Sequence, residues 1–184
     1  MTEPKAFRTA ELRARAGELH AGDALRLSGV VYTARDAAHK RIMAALAAEE
    51  ELPFPLQDAV IYYAGPTAAP PGHVIGSCGP TTSSRMDPFA PRLLDLGLAA
   101  MIGKGERSPE VVEAVRRNRA LYLCAIGGAG ALAARHITAC EVIAYPELGC
   151  ESVKRLVFED FPLVCAIDSE GNDLFREGRK KYVK

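Results

Sequence analysis

The sequence predicts an α/β domain built on a mixed, partly parallel sheet. Strand-like and helical patterns alternate through the middle of the chain, while strand patterns dominate both ends. The length of 184 residues and the 48% hydrophobic content are sufficient for one domain with a substantial core. No repeat or linker divides the chain, so we expect one domain over 1–184, with a lead-in at 1–20 and a solvated basic tail at 176–184.

The elements follow in order from local patterns. Residues 8–19 form an amphipathic segment, and 22–35 alternate apolar and polar residues as a strand does. The Ala-rich stretch 36–51 predicts a helix, with Asp36 as its candidate cap. Further strands are expected over 59–65, 73–77, 98–103, 120–128 and 137–145, and helices over 87–97, 108–118 and 129–135. Residues 155–175 predict two strands around a turn at Gly171-Asn172.

Charge and hydropathy argue against nucleic-acid and membrane binding. The 23 Lys and Arg residues balance the 23 Asp and Glu residues, so no overall basic field exists to attract nucleic acid. The first 19 residues are charged throughout and differ from a secretory signal. No apolar run approaches the roughly 20 residues of a membrane span. We therefore expect a cytoplasmic protein.

The five cysteines do not form a recognisable metal or disulfide pattern. Their number is odd and no pair has C-x-x-C spacing, so we expect neither a disulfide framework nor a metal site built from these residues alone. Cys124 and Cys165 lie in apolar strand patterns and are expected to be buried, whereas Cys78 lies beside a cluster of hydroxyl residues.

The stretch "GSCGPTTSSRMDPFAPRLLDLG" (76–97) places four consecutive hydroxyl residues, from Thr81 to Ser84, before Arg85 and a helical pattern. Hydroxyls and unpaired amides at a helix start favour an anion, and an arginine adds a fork that suits a carboxylate or a phosphate. The alternative is an ordinary Ser/Thr cap with Arg85 in solvent.

Two other stretches place cations directly after strands. "YTARDAAHKR" (32–41) carries Arg35, Asp36 and His39 at a strand-to-helix junction, and "MIGKGERS" (101–108) carries Lys104 between two glycines. Ligands of open α/β sheets bind at the carboxyl ends of strands, so Arg35, Arg85 and Lys104 converging there would suit a dicarboxylate. The alternatives are a salt-bridged surface helix and a lysine in an exposed turn. "GAGALA" (128–133) only weakly matches a dinucleotide fingerprint.

These motifs, together with "GGAGALAAR" and "VFEDFPLVCAIDSEGNDLF", resemble the beta subunit or C-terminal domain of the class I iron–sulfur hydro-lyases. That group contains the class I fumarases and the L-tartrate dehydratases. The resemblance extends from about residue 22 to 175 and implies a swivelling β/β/α domain. It also implies hydration of fumarate to malate, or dehydration of tartrate to oxaloacetate.

The resemblance further implies a partner. In this family the [4Fe–4S] cluster is held by three cysteines of an alpha subunit or N-terminal domain, and its open iron binds substrate as a Lewis acid. The present chain would bind no cluster alone, and would be active only in a hetero-oligomer with an alpha subunit. A homodimer of the isolated chain is also compatible with the sequence.

Residue roles carry over by motif. The resemblance implies that Arg35, Arg85 and Lys104 bind substrate carboxylates, with Thr82 as a hydroxyl donor. Thr81 is the implied base toward the substrate carbon, provided that its positive surroundings lower the pKa of its hydroxyl, and the acid would come from the alpha subunit. His39 would orient Arg35 or Asp36, or pack against the helix, so Asp36 and His39 are expected outside direct substrate contact.

Some details depart from the fumarase pattern. Ser84 stands where many fumarase-type chains have glycine, and the spacing from Arg85 to Lys104 is one residue shorter than in single-chain fumarases. Both the spacing and "MDPFAPRLL" resemble two-subunit enzymes, tartrate dehydratases included, whereas "YPELG" and "GNDLF" resemble fumarases. We favour a fumarase beta subunit, with a tartrate dehydratase beta subunit as the alternative. An alternative of a different functional class is a stand-alone domain that binds a small anion.

Overall fold

A computed structural model describes residues 3–180. The strands are β1 (Lys5–Arg8), β2 (Ala24–Thr33), β3 (Val60–Tyr62), β4 (Ala100–Gly103), β5 (Leu121–Cys124), β6 (Ile137–Ala144) and β7 (Val153–Ile167). The α-helices are α1 (Leu12–Arg15), α2 (Asp36–Ala47), α3 (Ala90–Asp95), α4 (Pro109–Arg117), α5 (Gly130–Ala134) and α6 (Leu174–Lys180). Short 3-10 helices cover Thr9–Glu11, Ala16–Glu18, Ser83–Met86 and Pro146–Glu151.

One sheet joins all seven strands. Strands β1 to β5 pair in parallel in the order in which they occur along the chain. Strand β7 runs antiparallel to β2, β5 and β6, so it closes β2, β3, β4 and β5 into a ring. The prediction of an α/β fold with a mixed, partly parallel sheet is therefore confirmed.

Strand β7 corrects the prediction for residues 155–175. That segment does not form two strands: β7 is continuous for 15 residues, and its two ends have different partners. A positive φ of 47° at Asp160 bends β7 opposite a register shift at Gly29 of β2, whose φ is 123°. The expected turn does follow, held by Asp168, but it leads into α6 because Asp173 accepts a hydrogen bond from the amide of Phe175.

Alternate residues of the parallel strands build two apolar clusters on opposite faces of the sheet. Val60 and Tyr62 pack with buried residues of β2 and β7, whereas Ile61 packs with buried residues of α2, α3 and α4. Because both faces are covered, β3, β4 and β5 are buried along their whole length apart from Cys124.

Two further expectations differ from the structure. Residues 73–77 form no strand, since Ser77 pairs only with Thr67 across an irregular loop. The helix expected over 87–97 is shorter, because residues 87–89 form a turn after the 3-10 helix Ser83–Met86 and α3 covers only Ala90–Asp95.

The ends of the chain are more ordered than the sequence indicated. The lead-in includes β1, which adds a parallel strand to β2, and Leu12 is fully buried. The tail expected over 176–184 is helical as far as Lys180, and residues 181–184 lie outside the described part of the chain. Among residues 3–180, no helix is both long enough and apolar enough to cross a bilayer.

Candidate functional site

The three motif stretches meet at one edge of the sheet. Arg35 follows β2 by two residues, and Lys104 follows β4 directly. Residues 79–85, here called the hydroxyl loop, lie between them: Pro80 bridges to Ala64 after β3, and Thr82 bridges to Lys104. Because the carboxyl ends of parallel strands lie together, the fold brings the predicted cations into one region.

Ser83 anchors the hydroxyl loop from below. Its side chain is fully buried, and its Oγ accepts hydrogen bonds from the Lys104 amide (3.0 Å) and the Tyr122 hydroxyl (2.9 Å). A Cβ on Gly103 would lie 1.9 Å from that oxygen, so only glycine admits this approach. Ser83 is thus a structural residue rather than a ligand.

The remaining hydroxyls of the loop point elsewhere. Thr81 is half-buried with its amide donating to the Tyr63 carbonyl (2.7 Å), while Thr82 and Ser84 are exposed. Within residues 3–180, none of these three hydroxyls caps a helix or makes a side-chain hydrogen bond. The alternative of an ordinary helix cap is therefore wrong, and Thr81 and Thr82 are available to a ligand.

Lys104 is the cation without a counter-charge. It is half-buried, and within residues 3–180 no carboxylate pairs with its ammonium group. Its side chain lies along the loop after β5, where a Cβ on Gly127 would come within 3.4 Å of its Cδ. An anion entering the site would therefore find this charge unneutralised.

The two arginines each contact a carboxylate. The Arg85 Nε donates to Asp36 Oδ1 (2.9 Å), and the Arg35 Nη2 lies 3.4 Å from Glu151 Oε1. Arg85 is half exposed, whereas only 20% of the Arg35 side chain is exposed. Asp36 does not cap α2 as expected, because its carboxylate turns toward Arg85, and the amide of Ala37 is capped by Glu151 Oε2 instead (2.9 Å).

His39 supports Arg35 from inside the fold. Its ring is fully buried between Tyr63 and Phe89, with both ring centroids 5.5 Å away. Burial lowers the pKa of His39 to about 4, so the ring is neutral. A neutral ring facing the Arg35 carbonyl at 2.9 Å must place its proton on Nδ1 in order to donate. Lys40, the next residue of α2, is exposed, so it lies on a different face of the helix from His39.

Arg107 is a buried cation that no sequence motif indicated. Its guanidinium carbon lies 5.4 Å from the Tyr63 ring and 4.9 Å from the Tyr122 ring, and its Nε donates to Asp87 Oδ1 (2.6 Å). The other Asp87 oxygen accepts from the amide of Ser108 (2.8 Å). In sequence, an arginine after Gly-Lys-Gly-Glu looks like part of an exposed turn, and only the aromatic residues of neighbouring strands reveal its burial.

This geometry coincides with a family match. The family described as Fumarase C-terminus matches residues 5–178. The chain belongs to this family. The match includes every motif stretch that meets at the sheet edge.

Relatives within the fumarase C-terminus family carry two kinds of name. The chain is 39% identical to "Fumarate hydratase class I, anaerobic" of Escherichia coli K12, over 91% of the chain but 31% of the relative. It is 36% identical to "Fumarate hydratase 2" of Leishmania major, over 90% of the chain and 29% of the relative. The chain thus spans about a third of these relatives.

A third relative matches over nearly its whole length. "Putative L(+)-tartrate dehydratase subunit beta" of Methanocaldococcus jannaschii is 38% identical, over 91% of this chain and 89% of the relative. A member of the fumarase C-terminus family therefore also occurs at the size of the present chain, under a name that designates a subunit.

The cysteines of the present chain do not fit an iron–sulfur cluster. Cys78 and Cys165 are fully buried, and burial raises the pKa of each thiol to about 12, which disfavours the thiolate that iron requires. In the part of the chain from 3 to 180, no group of three or more His, Cys, Asp or Glu side chains is arranged to hold a metal ion.

Proposed function

We propose that this chain is the beta subunit of a class I fumarate hydratase, which interconverts fumarate and malate. The observation that carries the proposal is that Arg35, Arg85 and Lys104 lie at one sheet edge with the hydroxyls of Thr81 and Thr82, which make no hydrogen bond within residues 3–180. The fumarase names of its relatives support the same reaction.

The charges suit a dicarboxylate. Fumarate and malate carry two negative charges, and the site offers three cations, of which Lys104 has no counter-charge within residues 3–180. Arginine binds a carboxylate through two parallel hydrogen bonds, whereas lysine contributes a point charge. Arg35 and Arg85 would orient the substrate, Lys104 would contribute its unpaired positive charge, and Thr82 would donate a further hydrogen bond.

Thr81 is the residue proposed to transfer the proton. In dehydration of malate, its deprotonated oxygen would take a proton from the methylene carbon. The electrons of the broken C–H bond would form the C=C bond, and the hydroxyl would leave as water with a proton from an acid on the partner. The surrounding cations favour the deprotonated hydroxyl, since an opposite charge nearby stabilises the anion. Asp36 and His39 would act indirectly, through Arg85 and Arg35.

The proposal assigns the [4Fe–4S] cluster to an alpha subunit. Support comes from the unsuitable cysteines of this chain and from the subunit name of the methanogen relative. In this arrangement the single domain, 1–184, supplies carboxylate binding and proton transfer, and is active only in a cytoplasmic hetero-oligomer. The formal net charge of zero is compatible with a chain that functions in a complex.

A second candidate is the beta subunit of an L(+)-tartrate dehydratase, which converts tartrate to oxaloacetate. The observation that favours it is the 38% identity to a relative of that name across 89% of that relative. Tartrate is also a dicarboxylate, so the same three cations would serve it.

One experiment separates the candidates. The chain is co-expressed anaerobically with its alpha partner, the cluster is reconstituted, and kcat/KM is compared for fumarate, malate and L-tartrate. Faster turnover of fumarate and malate supports the fumarase, and preference for tartrate supports the second candidate. An intact complex that turns over none of them rejects both, in favour of a small-anion-binding domain.

The location of the cluster has its own test. The chain purified alone is expected to be colourless and to contain far less than one iron per chain by metal analysis. A stoichiometric cluster on the isolated chain would contradict the subunit assignment.

A further inference from the structure

The Arg35 guanidinium lies in a narrow slot between two backbone segments. On one side is Gly65, where an added Cβ would lie 2.8 Å from Arg35 Nη1 and 3.1 Å from Cδ. The same Cβ would be 3.3 Å from the carbonyl oxygen of Cys150, so the 3-10 helix Pro146–Glu151 closes the slot. Arg35 is therefore confined by the backbone on the side of Gly65.

Glu151 holds the guanidinium at the other end. Its Oε1 lies 3.4 Å from Arg35 Nη2, while its Oε2 accepts the amide hydrogen of Ala37 at 2.9 Å. That amide belongs to the first turn of α2, whose own first residue, Asp36, is turned toward Arg85. One carboxylate thus caps the helix that carries Arg35 and also pairs with the Arg35 side chain.

The Arg35–Glu151 ion pair is partly shielded from solvent. The side chains of Arg35 and Glu151 are only 20% and 22% exposed, so solvent screens the contact less than it would on an open surface. The Arg35 Nε is buried without a hydrogen-bond partner within residues 3–180. Among those residues, Glu151 is the only carboxylate that forms an ion pair with the Arg35 guanidinium.

We propose that Glu151 is a positioning residue that fixes the Arg35 guanidinium for a substrate carboxylate, with Gly65 providing the space. The proposal rests on the proposed function, in which Arg35 binds substrate. Bidentate binding requires that both donor directions of the fork match the carboxylate plane, so a rotating guanidinium binds less well than a fixed one.

The same 3-10 helix offers a matched control. Glu147 also pairs with an arginine of α2, Arg41, through Nη1 at 3.1 Å. Those two side chains are 53% and 55% exposed, and Arg41 also stacks over the Tyr145 ring at 4.7 Å. Glu147→Gln therefore removes a charge pair between the same two elements without touching Arg35.

The first measurement reads the Arg35 side chain in the full chain, independently of activity. The guanidinium NMR signals of Arg35 are assigned with Arg35→Lys and compared in wild type, Glu151→Gln and Glu147→Gln. Glutamine can still accept the Ala37 amide hydrogen but presents its NH₂ group to Arg35. We expect restricted guanidinium rotation in wild type and Glu147→Gln, and averaged signals in Glu151→Gln.

The second measurement is KM and kcat in the complex with the alpha subunit. We expect Glu151→Gln to raise KM for the dicarboxylate about tenfold, with kcat changed less than about threefold, since an interaction present in both ground and transition states is weakened. Gly65→Ala, which displaces the guanidinium by contact, should act in the same direction. Glu147→Gln should match wild type in both constants.

The outcomes are separable. Arg35 signals and KM that stay at wild-type values in Glu151→Gln overturn the inference, as does a change of equal size in Glu147→Gln. Released signals with an unchanged KM show that Arg35 is held but does not serve substrate binding, which also overturns it. A complex that turns over no dicarboxylate rejects the proposed function, and the NMR comparison still decides whether Glu151 holds Arg35.

Discussion

The Tyr122 hydroxyl lies 2.9 Å from Ser83 Oγ, and this buried contact ties strand β5 to the hydroxyl loop. Ser83 Oγ also accepts a hydrogen bond from the Lys104 amide at 3.0 Å. Ser83 therefore sets the position of two candidate site elements without facing the site itself.

Ser83→Ala should lower the free energy of unfolding by about 1–3 kcal/mol, because it leaves the Lys104 amide without its acceptor. Urea denaturation of the chain measures the change. The control is Ser84→Ala, an exposed neighbour whose effect should remain within about 0.5 kcal/mol. Equal effects of the two substitutions would show that Ser83 is not the anchor of the loop.

Arg85→Ala should reduce kcat/KM of the assembled complex by about 100-fold or more, since it would remove the proposed charge-assisted contact to the substrate. Arg85 is half exposed, so the stability of the chain should change little. Kinetics of the complex, together with thermal unfolding of the variant chain, measure both effects.

Arg117→Ala is the matched control, because Arg117 pairs with Asp95 at a similar exposure, outside the three motif stretches that form the candidate site. Unchanged activity of Arg85→Ala, or an equal loss in Arg117→Ala, would remove Arg85 from the site.

Local pattern predicted much of the parallel sheet, but not its closure. The alternation in β2 and the apolar runs of β4 and β5 are visible within a few residues, because their side chains face fixed sides of the sheet. The continuity of β7 depends on the bend at Asp160 opposite Gly29, about 130 residues earlier, and no local pattern reports such a pairing.

The candidate site also contains residues whose positions the sequence predicted and one whose position it did not. The positions of Arg35 and Lys104 after strands were predictable, since strand ends of a parallel sheet share an edge. Glu151 was not, because it caps α2 from 114 residues away along the chain. The roles of Thr81 and of the cations stay predictions until turnover is measured.

His39 predicts a pH dependence of stability. Its folded pKa of about 4 lies below the ordinary value of 6.5, so the unfolded chain binds a proton more readily between these values. The contribution of the neutral His39 ring to the free energy of unfolding is therefore fully present above about pH 6.5. This contribution is lost as the pH falls toward about 4, and the total loss is about 3 kcal/mol.

Urea denaturation at several pH values in this window tests the His39 prediction, with His39→Gln as the variant that should flatten the slope. The exposed His73 provides the control, since His73→Asn should leave the slope unchanged. A His39 ring resonance that titrates near pH 6.5 in the folded chain would contradict the buried, neutral assignment.

The cysteines should differ sharply in reactivity. Cys150 is exposed, whereas burial raises the pKa of Cys78 to about 12, so the Cys78 thiol stays protonated near neutral pH. A thiol-specific disulfide reagent should modify Cys150 rapidly, and reach Cys78 and Cys165 only on unfolding. Peptide mass mapping after timed labelling identifies the modified residues.

Cys150→Ser supplies the control for this labelling, because it should remove the fast phase and leave the slow phase intact. Fast labelling of Cys78 in the folded chain would mean that the loop before Thr81 opens to solvent. The part of the site nearest the proposed base, Thr81, would then be mobile. We expect slow labelling of Cys78 instead, because the Tyr62 hydroxyl donates a buried hydrogen bond to the Cys78 carbonyl (2.8 Å).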